Sequence, residues 1–92
     1  MELVKYINEG AFLVDVREPF EVEENPVVGA VNIPVSTIPY ELNKFDGKEK
    51  IVVFCRSGNR SNMARMILQS SGYNNVIDGG SWLNVKSAIE TA

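Results

Sequence analysis

The segment IVVFCRSGNRS, residues 51–61, joins the clearest strand signal of the chain to the start of a helix. Its first four residues form a continuous β-branched and aromatic run, which is typical of a strand buried on both faces of a parallel sheet. Polar residues follow, and a helix is predicted from Ser61 to Ser70, with Gly72 as its C-terminal stop. The segment therefore predicts a strand–loop–helix unit with Cys55 at the end of a buried strand.

Weaker helix and strand signals alternate on both sides of this unit. The predicted strands are 11–16, 29–34 and 76–78, the last of them broken by Gly79 and Gly80. The predicted helices are one over 3–7 that stops at Gly10, one over 38–42 capped by Ser36 with Pro39 in its first turn, and a last one marked by Trp82, Val85 and Ile89. Residues 18–26, which include four glutamates, are interpreted as a solvated short helix or loop. Since strands separated by helices pair in parallel, we expect an α/β/α sandwich.

The sandwich architecture also predicts where a binding site lies. The carboxyl ends of parallel strands meet at one edge of the sheet, and ligands bind outside that edge. Four segments are expected on this rim: 15–17, 34–36, 55–61 and 78–80.

The composition fits one small globular domain, and we expect residues 1–92 to form it. Hydrophobic residues make up 45% and charged residues 23%, which argues against a disordered chain. The net charge of −3 offers no positive excess for nucleic acid or an anionic membrane, so neither is expected as a partner. No apolar run approaches the ~20 residues that span a bilayer, and no secretory signal follows Met1. We expect a cytoplasmic protein, and a monomer.

Two residue counts limit the chemistry further. The chain has no histidine, which excludes histidine-based catalysis and histidine metal sites, and no metal is expected. It has one cysteine, which excludes an intrachain disulfide and a Cys-x-x-Cys motif. A lone thiol fits a reducing compartment better than a secreted protein.

Cys55 allows two interpretations. A single cysteine at the end of a buried strand is often an inert core residue. Here, however, it enters a loop that feeds a helix, where N–H groups lack intrahelical partners and the dipole is positive. Arg56 and Arg60 add positive charge, and Gly58 allows the tight turn that points amides inward. Such surroundings lower a thiol pKa, so the loop favours a reactive thiolate.

The sequence resembles single-domain members of the rhodanese family in four segments, which lie in the family's order. They are DVREP (15–19), GAVNIP (29–34), the cysteine loop CRSGNRS (55–61) and DGG followed by Trp82 (78–82). The family's histidine is missing, because NPVV stands at 25–28 where members commonly carry GHIP. The family's short strand before the first helix has no counterpart either, so a parallel sheet of four or five strands is expected.

The resemblance implies a sulfurtransferase without a cofactor, in which Cys55 takes a sulfane sulfur and becomes a persulfide. The donor is thiosulfate or a persulfide, and the acceptor is cyanide or a thiol, including a thiol protein. The loop would bind the terminal sulfur and the donor through Arg56, Ser57, Gly58, Asn59, Arg60 and Ser61. Asp15 and Arg17 are expected to brace the loop or pair with each other, with direct contact to the substrate as the alternative. Ser57 and Ser61 are expected to bind the donor's sulfonate or cap the helix.

Three alternatives stay open. The chain could be a carrier that passes a persulfide from one protein to another, or a redox-sensing domain in which Cys55 is only oxidised. The fold is shared with cell-cycle phosphatases, whose loop has five residues between cysteine and arginine. Here four residues separate Cys55 from Arg60, and this shorter loop makes a smaller pocket that suits a sulfur atom better than a phosphate. None of the four residues is acidic, so the loop offers no general acid for a phosphatase reaction.

Overall fold

A computed structural model describes residues 2–92 as an α/β domain around one parallel sheet. The strands are β1 (Phe12–Asp15), β2 (Val31–Asn32), β3 (Ile51–Cys55) and β4 (Val76–Ser81). The α-helices are α1 (Glu2–Asn8), α2 (Pro19–Glu24), α3 (Asn59–Ser70) and α4 (Trp82–Thr91), and two 3-10 helices cover Val35–Tyr40 and Leu42–Phe45. Within residues 2–92 the sheet has four strands in the order β2-β1-β3-β4, all parallel. The predicted architecture is confirmed, with the smaller of the two expected strand numbers.

The central strand β3 is buried along its whole length, as its apolar run predicts. Its side chains alternate between two cores, since successive residues of a strand point to opposite faces. Ile51, Val53 and Cys55 pack on the side of α3 and the 3-10 helices, whereas Val52 and Phe54 pack on the side of α1 and α4. Each large apolar side chain buried in this way contributes roughly 1.5–3 kcal/mol, so β3 fixes the position of Cys55 firmly.

The helix predicted over 38–42 is wrong in type, and Ser36 is not its cap. The chain forms a 3-10 helix over Val35–Tyr40 with Pro34 before it, then a second over Leu42–Phe45. The helical segment begins at Val35, so Pro39 lies inside it and not in its first turn. An interior proline opposes an α-helix, because it has no N–H to donate and its ring clashes with the carbonyl four residues earlier. The tighter 3-10 bond from Glu41 N–H to the Ile38 carbonyl, 3.0 Å long, ends the first of these helices.

The prediction that Gly79 and Gly80 break the last strand is also wrong, because β4 runs through both to Ser81. A Cβ on Gly79 would lie 2.7 Å from Val85 Cγ2, so the glycine lets α4 pack directly on the strand. Val53 pairs with Asp78 but Phe54 pairs with Gly80, which leaves one extra residue in β4 as a bulge. Gly80 has a φ of 81°, a left-handed value that favours glycine. After the bulge the strand continues until Ser81, its last residue, which pairs with Cys55.

The remaining elements follow the predicted pattern with small shifts. Residues 18–26 contain the helix α2, and α3 begins two residues before the predicted Ser61, at Asn59. Gly72 follows α3 with a φ of 98°, as expected for a C-terminal stop. No helix among residues 2–92 has the length and apolar character needed to cross a bilayer.

Candidate active site

Cys55 ends β3 and is 1% exposed, and the loop that follows it turns back over the sulfur. Gly58 makes this turn with a φ of 106°, which is the left-handed region, and it immediately precedes α3. As a result the Gly58 N–H donates to Cys55 Sγ at 3.0 Å, and the Ser61 N–H donates to the same sulfur at 3.4 Å. The loop and the first turn of α3 thus present backbone donors to the sulfur, as the sequence predicts.

These donors affect the protonation of Cys55. Burial of the thiol raises its pKa, but the Ser61 side chain and the N–H groups of Ser61, Gly58 and Ser57 stabilise the thiolate. The donors outweigh burial, and the pKa of Cys55 lies below its ordinary value. The site therefore favours the nucleophilic form of the sulfur without a histidine.

The Ser61 hydroxyl lies beneath the loop and is fully buried. Its Oγ is 3.4 Å from Cys55 Sγ, 3.1 Å from the Gly58 carbonyl and 2.6 Å from Asp78 Oδ1. Ser61 is thus placed against the sulfur and not on the open side where a donor's sulfonate would approach. Ser57 and Asn59, by contrast, are exposed on the loop.

Asp15 and Arg17 pair with each other inside the protein, which is one of the roles expected for them. The guanidinium binds both carboxylate oxygens, with Nη2 2.6 Å from Oδ2 and Nε 2.9 Å from Oδ1. Arg17 Nη2 also donates to the Asn25 carbonyl at 2.8 Å, and its guanidinium lies 5.4 Å from the centre of the Trp82 ring. Arg17 therefore holds the end of α2 and the start of α4 together beside the loop.

Arg60 is held by a residue that the sequence did not indicate as part of the site. Its Nη1 and Nη2 donate to the two carboxylate oxygens of Glu21, at 2.6 and 2.9 Å. The Glu21 hydrogen bond raises the pKa of Arg60, and the same pair lowers the pKa of Glu21 to about 2. Because Glu21 balances the Arg60 charge, the anion site predicted from two arginines is less positive than expected.

Arg56 is the exposed arginine of the loop. It lines a cleft of about 340 Å³, together with Arg17, Glu21, Glu24, Asn25, Trp82 and Leu83. The cleft brings the predicted rim segments 15–17 and 55–61 together with α2 and the start of α4. Among residues 2–92, no group of three cysteine or carboxylate side chains is placed to hold a metal ion.

Two residues of the site were missed by sequence reasoning as partners of the loop. Glu21 belongs to a run of glutamates that the sequence marks only as solvated. Asp78 was placed on the rim but given no contact. A glutamate on a short helix and an aspartate at a strand end are weak signals, because both contacts depend on tertiary placement and on the β4 bulge.

The Glu21–Arg60 pair is expected to make stability depend on pH. The pKa of Glu21 lies near 2 in the folded protein, below its ordinary value of 4.5, so the pair stabilises the fold above pH 4.5 and loses this effect as the pH falls toward 2. In Glu21→Gln the Gln oxygen still accepts the Glu18 N–H, but the ion pair is lost. We expect the free energy of unfolding in urea to be higher for wild type than for Glu21→Gln by about 1 kcal/mol or less at neutral pH. This difference should narrow as the pH is lowered.

The control is Glu23→Gln, which removes an exposed carboxylate from the same helix. It should leave the pH profile of stability close to that of wild type. A difference between wild type and Glu21→Gln that stays constant down to pH 3 would contradict the role given to the pair.

Comparison with known proteins identifies the family of this chain. The family model described as "Rhodanese-like domain" matches residues 1–83. A "Sulfurtransferase" of Allochromatium vinosum is 33% identical over 70 residues, which cover 76% of this chain and 65% of that protein. The "Thiosulfate sulfurtransferase PspE" of Escherichia coli is 32% identical over 69 residues, covering 73% and 66%. This chain therefore spans about two thirds of the length of these relatives.

Solved structures show the same fold. "Rhodanese with anions from E. coli" superposes with a TM-score of 0.75 at 27% identity, covering 82% of this chain and 91% of that one. "Reduced Bacillus anthracis CoADR-RHD" gives a TM-score of 0.79 at 26% identity and covers 98% of this chain, but only 16% of that one. The fold and the site define a rhodanese-type α/β domain. This chain belongs to the rhodanese-like domain family.

Proposed function

We propose that this protein is a sulfurtransferase that carries a sulfane sulfur as a persulfide on Cys55. Membership of the rhodanese-like family and relatives named sulfurtransferases support sulfur transfer as the general chemistry. The observation that carries the proposal is the pair of backbone N–H groups, from Gly58 and Ser61, directed at Cys55 Sγ. Donors fixed in this way stabilise the negative charge that sulfur bears in every state of the cycle.

The proposed cycle has two displacement steps. The Cys55 thiolate attacks the outer sulfur of thiosulfate, an S–S bond forms at Cys55, and the bond between the two thiosulfate sulfurs breaks to release sulfite. Cyanide or a thiolate then attacks the terminal sulfur of the persulfide, and the S–S bond at Cys55 breaks. Cyanide becomes thiocyanate, a thiolate becomes a new persulfide, and the Cys55 thiolate is restored. A thiol of lowered pKa fits both steps, because it attacks as the thiolate and is also a good leaving group.

The loop residues take distinct parts in this proposal. Backbone N–H groups in the first turn of α3, at Asn59 and Arg60, have no partner within the helix and are suited to hold the terminal sulfur. The exposed Arg56 would attract the anionic donor into the cleft, with Ser57 beside it as a hydrogen-bond donor. The buried Asp15–Arg17 pair positions these groups without touching the reacting atoms.

The proposed cycle also has consequences for the need for a cofactor, for the cellular compartment and for the oligomeric state. The one covalent intermediate lies on Cys55, so the cycle requires neither a cofactor nor a metal. A thiol nucleophile used repeatedly fits a reducing compartment such as the cytoplasm. We propose that the protein acts as a monomer on small molecules, with a thiol protein as a further acceptor.

A persulfide carrier between two proteins is the second candidate. The cleft beside the loop favours it, because about 340 Å³ is more than cyanide or thiosulfate needs. Leu83, which lines this cleft and is 59% exposed, offers apolar surface that a small anion does not use. In this case the same Cys55 persulfide forms, and only the donor and the acceptor differ.

Initial rates distinguish the two candidates. For an enzyme acting on small molecules, we expect steady thiocyanate formation from thiosulfate and cyanide that saturates with both substrates. For a carrier, turnover with thiosulfate is slow, but a protein persulfide loads Cys55 rapidly. If no sulfur donor loads Cys55, both candidates fail, and hydrolysis of an aryl phosphate or oxidation by peroxide becomes the next assay.

A further inference from the structure

Three side chains link the buried sulfur to the protein surface. Cys55 Sγ lies 3.4 Å from Ser61 Oγ, and this oxygen lies 2.6 Å from Asp78 Oδ1. Cys55 is buried, Ser61 is fully buried, and Asp78 is exposed. The three residues come from β3, α3 and β4, and the register of β4 before its bulge places Asp78 beside α3. None of the steps proposed above uses Asp78.

The Ser61 hydroxyl has three possible acceptors within reach, which are Asp78 Oδ1, Cys55 Sγ and the Gly58 carbonyl at 3.1 Å, and it cannot donate to all of them. A hydroxyl has one hydrogen to donate and two lone pairs that accept. The 2.6 Å bond to Asp78 has the length of a charge-assisted bond to a carboxylate, and it is shorter than the 3.1 Å contact with the Gly58 carbonyl. The hydrogen therefore points to Asp78 when Cys55 is a thiol, and Ser61 Oγ accepts from the S–H group.

Asp78 is fixed in this position by a second bond. Its Oδ1 also accepts the Gly80 N–H at 2.8 Å, a bond that the bulge of β4 makes possible. The carboxylate therefore keeps its place even when the Ser61 hydrogen leaves it.

We propose that Asp78 is a positioning residue that competes with the Cys55 thiolate for the single hydroxyl hydrogen of Ser61. This inference deepens the proposed function, on which it rests, because it concerns how Cys55 becomes the nucleophile. When the thiol ionises, its S–H bond breaks and the proton leaves to water. The Ser61 O–H bond stays intact and rotates from Asp78 to the sulfur. No electron is transferred.

The other charged groups around Cys55 are already paired or exposed. β1 contributes the Asp15–Arg17 pair, and α3 contributes Arg60, which is bound to Glu21 of α2. Arg56 of the loop is exposed, and so are Lys86 and Glu90 of α4, the helix packed against β4. The first 3-10 helix, packed against α3, carries no charged residue, and its Tyr40 is 87% exposed. Within residues 2–92, Asp78 is the titratable side chain other than Cys55 that contacts Ser61.

The test is the pH dependence of Cys55 alkylation by iodoacetamide. Asp78→Asn removes the charge and weakens the hold on the Ser61 hydrogen, so the apparent pKa of Cys55 should fall by about one pH unit. Ser61→Ala removes the hydroxyl donor to the thiolate, so the apparent pKa should rise. When Asp78→Asn is introduced into Ser61→Ala, the fall in the apparent pKa of Cys55 should be less than half of that in the wild-type background. The remaining fall reflects the direct effect of the Asp78 charge on the thiolate.

The controls separate positioning from a structural role. Glu49→Gln removes an exposed carboxylate away from the loop and should leave the alkylation profile unchanged. A structural role for Asp78 would lower the melting temperature without moving the pKa. If Asp78→Asn does not fold, Asp78→Ser provides the same loss of charge with a smaller side chain.

An unchanged or raised apparent pKa in the folded Asp78 variants would overturn the proposal, and so would a full-sized shift in the double variant. Alkylation needs no sulfur donor. The positioning role can therefore fail while persulfide formation succeeds, or succeed while persulfide formation fails.

Discussion

Replacement of Cys55 by serine should abolish thiocyanate formation from thiosulfate and cyanide, leaving no more than the uncatalysed rate. Cys55 is the one cysteine of the chain, so no second thiol can take the sulfur. A serine hydroxyl at this position would receive the same N–H groups but would not ionise at neutral pH, and it could not form a persulfide. The measurement is the initial rate of thiocyanate formation at saturating substrates.

The fold should survive this substitution, because serine is close to cysteine in size. Circular dichroism and the melting temperature of Cys55→Ser verify that a lost rate reflects chemistry. Ser70→Ala, an exposed change at the end of α3, is the activity control and should keep the wild-type rate. Substantial turnover by the folded Cys55→Ser variant would exclude a Cys55 persulfide from the reaction.

Replacement of Arg17 by methionine should cause the largest loss of stability. The Arg17 and Asp15 side chains are 2% and 1% exposed, so removal of the guanidinium leaves a buried carboxylate without its counter-charge. Breaking such a pair from one side costs about 3–5 kcal/mol, against about 5–15 kcal/mol for the total stability of a domain. At about 4–8 °C per kcal/mol, the melting temperature should fall by more than about 12 °C.

Two further variants test the cause of this loss. Asp15→Asn combined with Arg17→Met removes both charges and keeps a side-chain oxygen that accepts the backbone N–H of residue 17. This double variant should therefore be more stable than Arg17→Met alone. Lys44→Met breaks the exposed pair with Glu41 and should cost about 1 kcal/mol or less. If Arg17→Met cost no more than Lys44→Met in urea unfolding, the bracing role of the buried pair would be wrong.

The sequence is sufficient to predict the central part of this fold. The run of residues 51–54 needs burial on both faces, and the polar loop and the helix after it follow from local signals. These features place Cys55 beneath backbone donors, which is where the structure has it. Local chemistry therefore predicts both the sheet and the cysteine loop.

Other features depend on contacts between distant segments, and the sequence does not reveal them. Glu21 reaches Arg60 across 39 positions, and Asp78 reaches Ser61 across 17. The β4 bulge, which sets the place of Asp78, arises from how Gly79 packs against α4 and Gly80 turns the strand. The electrostatic balance of the loop therefore needs the tertiary structure, even though the nucleophile does not.

The mass of the intact protein after incubation with a sulfur donor is the most direct test of the proposed persulfide. We expect wild type to gain one sulfur atom from thiosulfate and to lose it on addition of cyanide, with thiocyanate released. Cys55→Ser should gain none. If thiosulfate, glutathione persulfide and a protein persulfide all leave the wild-type mass unchanged, the persulfide on Cys55 does not form, and the proposed sulfur transfer is wrong.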